Sequence, residues 1–207
     1  MQLKEDLALF SKAGINLPKY LIIEGTSLPK DLFHAERYVI KAIGENIIHK
    51  TEVGAVVTNI EREDVAVEIR RMYNRLTARK YMVDGFLVQE HVPKGIEIII
   101  GAKRDKQFGE VVLFGLGGVN VELYKDVSVR LCPISTEDAL DMIRETKADV
   151  VFDQFRGGPK INRNMVAEIM KRICSIMHKN KGIREIDLNP VVVYENSYYA
   201  VDVRVVR

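Results

Sequence analysis

In the last quarter of this 207-residue chain, the segment Arg184-Glu-Ile-Asp-Leu-Asn-Pro190 is answered by Ala200-Val-Asp-Val-Arg-Val205. Read as a β-hairpin turning at Glu195 and Asn196, the segments set Asn189 opposite Asp202, Asp187 opposite Arg204, Leu188 opposite Val203 and Ile186 opposite Val205. Strand alternation gathers the polar side chains on one face and the apolar ones on the other, and a register slipped by one residue would mix them. A carboxamide and a carboxylate from adjacent strands suit a Mg²⁺ ion that also holds phosphates. The same pattern fits an amphipathic edge hairpin with one solvated face.

Other groups upstream have chemistry of their own. Lys41 shares a strand face with Val39 and Ile43, an ammonium among apolar neighbours that either snorkels to an edge or meets an anion in a cleft. His49, Lys50 and Thr51 follow at a loop tip, close enough in sequence to face the same anion. Gly115-Leu-Gly-Gly118 follows a strand and lets backbone N–H groups approach a phosphoryl group, although a tight turn asks for the same glycines. No Gly-x-x-x-x-Gly-Lys-Ser/Thr pattern is present, which argues against a P-loop kinase. Glu90 and Glu97 are placed to accept hydrogen bonds from a ribose or a base, or are ordinary charges. Arg130, in a strand-like stretch, binds phosphate or pairs with an acid.

The elements that must position these groups are legible from periodicity. Leu3, Leu7 and Phe10 predict a first helix stopped at Gly14. Strands are expected over 20–24, 38–43 and 55–60, the last two forming a hairpin whose long tip carries His49, followed by a helix over 63–79. Segments 86–90, 96–102 and 110–116 read as a second sheet. The lobes are therefore expected as 1–84, with the leading helix, and 85–207. Ser135 with Asp138 forms a capping box ahead of a helix to about Lys147, and Ile161, Met165, Ile169, Met170, Ile173, Cys174 and Met177 mark the clearest helix, its methionines in the core.

Composition narrows the class. With 31 Lys plus Arg against 29 Asp plus Glu, no electrostatic argument favours nucleic acid or an anionic membrane. Hydrophobic residues at 47% are ordinary for a folded globular chain. Cys132 and Cys174 lack metal-like spacing and read as packed thiols of a reducing compartment. Without an apolar run for a signal peptide or membrane span, the expected location is the cytoplasm.

Taken in order, Lys41, Ile48-His49-Lys50-Thr51-Glu52-Val53-Gly54, Leu87-Val-Gln-Glu90, Phe114-Gly-Leu-Gly-Gly118, Glu185-Ile-Asp-Leu-Asn-Pro190 and Val201-Asp202 resemble the ATP-grasp β subunit of ADP-forming acetyl-CoA synthetase, a relative of succinyl-CoA synthetase. The resemblance covers nearly the whole chain and implies an α+β ATP-grasp fold with ATP or ADP held between two lobes. It implies that Lys41 contacts nucleotide phosphates, that Glu90, Val92 and Glu97 line the base and ribose site, and that Gly115, Gly117, Gly118 and Arg130 serve the phosphates. Asn189 and Asp202 match the family's Mg²⁺ ligands, His49 its transiently phosphorylated histidine, and Asp187 an acid that orients the phosphohistidine. A separate CoA-binding α subunit, in an α2β2 hetero-oligomer, is implied as partner. The reaction implied is acyl-CoA + ADP + phosphate ⇌ acid + ATP + CoA. A noncatalytic ATP-sensing module and a stand-alone ATP-grasp carboxylate ligase are the alternatives. His49, Asp187, Asn189 and Asp202 occurring together argues against the first, since binding alone needs no phosphoryl acceptor, and the want of an obvious acceptor-substrate domain in 207 residues argues against the second.

Overall fold

The computed structural model describes residues 2–47, 50–117, 126–154 and 160–207. In chain order the elements are α1 (Gln2–Lys12), β1 (Tyr20–Glu24), β2 (Tyr38–Ile43), β3 (Val56–Ile60), α2 (Val65–Ala78), β4 (Gly85–Glu90), β5 (Ile96–Asp105), β6 (Gly109–Leu116) and β7 (Val127–Leu131). There follow α3 (Thr136–Arg144), α4 (Ala148–Gln154), α5 (Arg163–Lys179), β8 (Glu185–Val193), β9 (Tyr198–Ala200) and β10 (Val203–Val206). They divide into two compact units, Pro18–Pro93 and Met1–Leu17 with Lys94–Arg207.

In the Pro18–Pro93 unit, four antiparallel strands lie in the order β1-β4-β2-β3. Alternation sends Tyr38, Ile40, Ala42, Phe86 and Val88 into a core with Ile69, Met72 and Leu76 of α2. Burying each large side chain of this kind contributes about 1.5–3 kcal/mol. Val39, Lys41, Leu87 and Gln89 occupy the opposite sheet face, and they too are buried. The expected division at residue 84 is therefore corrected. β4 is an inner strand of this first sheet, hydrogen-bonded to both β1 and β2, and the unit runs on to Pro93.

The other unit is built on an antiparallel sheet ordered β10-β8-β5-β6-β7, with β9 also pairing with β8. Ile98, Ile100, Ala102, Val112, Phe114, Ile186 and Leu188 form one core with Ala139, Met142, Phe152, Ile169, Met170, Ile173 and Met177 of the helices. The Ser135 capping box forms as expected: Asp138 N donates to Ser135 Oγ at 3.0 Å and Ser135 N to Asp138 Oδ2 at 2.8 Å. α4 was not foreseen; it follows α3 closely and buries Phe152 completely.

Two further expectations change here. The leading helix belongs to this unit, because Phe10 packs into its core and Asp6 pairs with Arg207 at 2.7 Å. Cys132 and Cys174 are joined in a disulfide across 42 residues, with Cα atoms 5.5 Å apart, instead of remaining packed thiols. The core that buries Cys174 on α5 brings the end of β7 against it, an adjacency that spacing along the chain does not reveal. Among the described residues, no helix is long and apolar enough to cross a membrane.

Candidate functional site

The C-terminal hairpin has the expected register. Val203, Arg204 and Val205 face Leu188, Asp187 and Ile186, while Val191, Val192 and Val193 face Ala200, Tyr199 and Tyr198. Tyr194 N donates to Ser197 O at 2.9 Å, which closes the turn around Glu195 and Asn196. Asn189 N donates to Asp202 O at 3.2 Å and Val201 N to Pro190 O at 3.0 Å, so Asn189 and Asp202 stand directly opposite.

Against β5 the same hairpin carries one extra residue. Ile98 pairs with Val191 and Ile100 with Leu188, which leaves Asn189 and Pro190 together opposite Ile99. Pro190 has no N–H to give a ladder, and a bulge is where a sheet tolerates it. The parity of the buried side chains switches at this point, from Ile186 and Leu188 to Val191 and Val193. The bulge thus lifts the Asn189–Asp202 pair out of a continuous ladder without disturbing the core on either side.

The sheet face away from the helices can be followed strand by strand. One row runs Arg204, Asp187, Gly101, Leu113, Val129; the next runs Glu185, Lys103, Val111, Leu131. Ile99, Gly115 and Val127 continue it on the side of the bulge. A cavity of about 400 Å³ opens on this face, lined by Ile99, Leu113 and Val129 on one side and Glu185 and Asp187 on the other. Burial raises the Asp187 carboxyl above its ordinary range; Glu185 adds to that, Arg204 opposes it and Asp202 adds again. A cation arriving here would relieve the cost of holding these carboxylates together. Among the described residues no three His, Cys, Asp or Glu side chains cluster as a self-sufficient metal cage. An Asn–Asp pair does fit Mg²⁺ that takes its remaining ligands from water and phosphates.

Glu97 is exposed at the end of this face, and its carbonyl accepts from Gly117 N at 2.8 Å. Gly115 and Gly117 are required by the sheet itself: a Cβ on Gly115 would lie 2.6 Å from the Asp126 carbonyl oxygen, and one on Gly117 3.0 Å from the Glu97 carbonyl carbon. Arg130 stands elsewhere. It pairs with Val112 of the core, on the helix side of β7, and is bound to Glu145 and Ser128. Of the two readings of Arg130, phosphate binding and pairing with an acid, the structure shows the second: an ion pair with Glu145 that ties β7 to the end of α3.

Within the Pro18–Pro93 unit, Lys41 is 5% exposed, in register with Leu87 on one side and Val56 on the other. Glu90 is in register with Tyr38, whereas Gln89 falls on the Lys41 face. Val92 follows β4 in the segment that leaves the sheet, where His91 N donates to Arg37 O at 2.9 Å. His49 and Gly118 lie outside the described residues. Of the described residues nearest in sequence, Ile47 belongs to the core and Ala55 N donates to Lys50 O at 2.6 Å.

Sequence reasoning missed Gln89, Glu185 and the apolar floor of Ile99, Leu113 and Val129. The signal was present in the nearly unbroken apolar run Ile96-Glu-Ile-Ile-Ile100, since a strand apolar on both faces is one whose second face is also to be covered.

The ATP-grasp domain model matches residues 2–206. Acetate–CoA ligase [ADP-forming] I subunit beta of Pyrococcus furiosus is 41% identical over 172 residues, covering 81% of this chain and 74% of that protein. Acetate–CoA ligase [ADP-forming] I of Archaeoglobus fulgidus is 34% identical over 206 residues; the match takes in 98% of this chain but only 30% of that longer protein. Among solved structures, Ca. Korarchaeum cryptofilum dinucleotide forming acetyl-coenzyme A synthetase 1 in complex with coenzyme A, Ca-AMPCP and HgCl⁺ superposes with a TM-score of 0.87 at 33% identity, over 98% of this chain and 91% of that one. A Se-Met form of the same enzyme, with coenzyme A and Mg-AMPPCP and a phosphohistidine segment pointing towards the nucleotide binding site, gives a TM-score of 0.81 at 34% identity, over 98% and 90%. The chain belongs to the ATP-grasp family, with relatives among the ADP-forming acetate–CoA ligases, both β subunits and longer single chains of which it spans less than a third.

Proposed function

We propose that this chain is the nucleotide-binding part of an ADP-forming acyl-CoA synthetase and passes a phosphoryl group between a CoA-binding partner and ADP. The overall reaction is acyl-CoA + ADP + phosphate ⇌ acid + ATP + CoA. The single observation that carries this reading is the Asn189–Asp202 pair, in register on the open sheet face beside Asp187 and next to an apolar cavity. Apolar floor and acidic rim together suit a ligand with a flat base at one end and metal-bound phosphates at the other.

In this reading Asn189 and Asp202 hold Mg²⁺, which offsets phosphate charge when bound. Lys41 offsets the rest, and Glu90, Val92 and Glu97 border the base and ribose. The backbone at Gly115, Gly117 and Gly118 borders the phosphates. His49 accepts the phosphoryl group on a neutral ring nitrogen from the acyl phosphate side, then yields it to the terminal oxygen of ADP, regenerating free imidazole. Asp187 serves as the acid that orients and stabilises the phosphohistidine. The partner is a CoA-binding α subunit, in an α2β2 assembly. The test is acid-labile phosphate on His49 after incubation with Mg²⁺ and ATP. The label should vanish in His49→Ala while nucleotide binding stays within about threefold of the wild type, a change under 1 kcal/mol. Unchanged labelling in that variant would remove His49 from the mechanism.

A further inference from the structure

The chain enters β3 through a tight closure. Ala55 N donates to Lys50 O at 2.6 Å and Gly54 N to Thr51 O at 3.1 Å, with Gly54 in the left-handed region at a φ of 72°. That pair of bonds over a left-handed glycine is a Schellman closure, which makes the turn 50–54 one unit. Ala42 N donates to Ala55 O at 2.8 Å and fastens the unit to β2, beside Lys41. One further bond comes from outside the hairpin: Arg75 Nη2, on α2, donates to Gly54 O at 2.5 Å. A Cβ on Gly54 would lie 3.5 Å from both Nε and Nη2 of Arg75, so the guanidinium packs along the glycine as well as bonding to it. Arg75 has a firm base, because its helix neighbours Met72 and Leu76 are completely buried in the core. Arg75 itself is exposed, and a contact made at the surface contributes little to the stability of the whole fold. The bond therefore acts locally, on the turn.

We propose that Arg75 is a positioning residue for the phosphoryl transfer: by tying the turn 50–54 to α2 it sets where the residue before Lys50, His49, can present its imidazole. The proposal rests on the reading of His49 as phosphoryl acceptor given above. His49 lies outside the described residues; the anchored atoms are those of the turn that follows it. Consecutive Cα atoms are about 3.8 Å apart across a trans peptide, so a turn fixed from Lys50 onward leaves little backbone freedom to the residue before it. Transfer to and from a ring nitrogen needs reacting atoms about 3–3.5 Å apart, and a misplacement of about 1 Å can cost as much as a hundredfold in rate. Arg75 acts through Gly54 and Lys50, not on the reacting atoms.

The test is single-turnover formation of acid-labile phosphate on His49 from Mg-ATP, followed across ATP concentrations in the full chain, for the wild type and for Arg75→Ala with and without added methylguanidine. Arg75→Ala should lower the maximal labelling rate about tenfold and leave the half-saturating ATP concentration within about twofold, the split expected when geometry is lost and nucleotide binding is kept. Its Tm should stay within about 3 °C of the wild type. Methylguanidine, which returns the missing donor, should recover at least about threefold of the rate. An unchanged maximal rate in Arg75→Ala, a rise in half-saturating ATP that accounts for the loss, or a loss that methylguanidine leaves untouched would each overturn the assignment. Failure of the wild type to label, or equal labelling in His49→Ala, is a different outcome: it defeats the reading of His49 itself.

Discussion

Reduction of the Cys132–Cys174 disulfide removes no atom of the core and so isolates the effect of one covalent tie. The bridge closes a loop across 42 residues and fastens the end of β7 to α5 on the helix side of the sheet. Chain-entropy reasoning for a closed loop of that length gives about 4 kcal/mol of stabilisation, gained by restricting the unfolded chain. For a chain of this size that corresponds to a fall in Tm of roughly 8–16 °C on reduction. The assay is differential scanning calorimetry with and without a phosphine reductant, with thiols counted in the native and the denatured protein. The account expects no reactive thiol without reductant and two after reduction and denaturation. Two thiols titrating in the unreduced protein, or a Tm that moves by less than about 3 °C on complete reduction, would refute the reasoning.

Two further outcomes follow from contacts outside the site. Burial pushes the Glu110 carboxyl up, but hydrogen bonds from Arg104 at 2.5 Å and Lys181 at 3.0 Å outweigh it and hold the group below its ordinary value. A depressed carboxyl stabilises the fold above its unfolded pKa, and that contribution is lost as pH falls through the lowered folded value. Glu110→Gln should therefore cost on the order of 1 kcal/mol at pH 7, after allowance for solvent at Lys181, and flatten the acid limb of a Tm-against-pH profile; an unchanged acid limb would contradict this. Ser135→Ala removes the side-chain half of the α3 capping box and should lower stability by about 1 kcal/mol in urea unfolding with no change in slope; a loss no larger than error would show that the cap contributes nothing.

The hairpin's register family could be read in advance because its two faces differ in kind, so that a slip of one residue would part Asp187 and Asn189 from Asp202 and Arg204. The helices were legible through their stripes and, for α3, through a cap with its own residue signature. What failed was pairing across long separations. Nothing in Gly85–Glu90 says that β4 lies between β1 and β2, and nothing in Leu7 or Phe10 says that α1 packs on the unit formed mainly by the last hundred or so residues. The choice between the two readings of Arg130 stayed open in the sequence for a related reason: its side of β7 is fixed only by register with Val112. Gln89 was overlooked beside the more conspicuous Glu90, although alternation from Lys41 through the paired strands assigns it to the cationic face.

The most direct measurement of the central claim, that the bulged hairpin is a metal and nucleotide platform, is calorimetric titration of ADP with and without Mg²⁺ for the wild type, Asn189→Ala and Asp202→Ala. The account predicts ADP binding that Mg²⁺ strengthens in the wild type, and loss of most of that Mg²⁺-dependent gain, at least about tenfold, in either variant. ADP affinity that is indifferent to Mg²⁺, or a Mg²⁺ effect that survives intact in both variants, would contradict it.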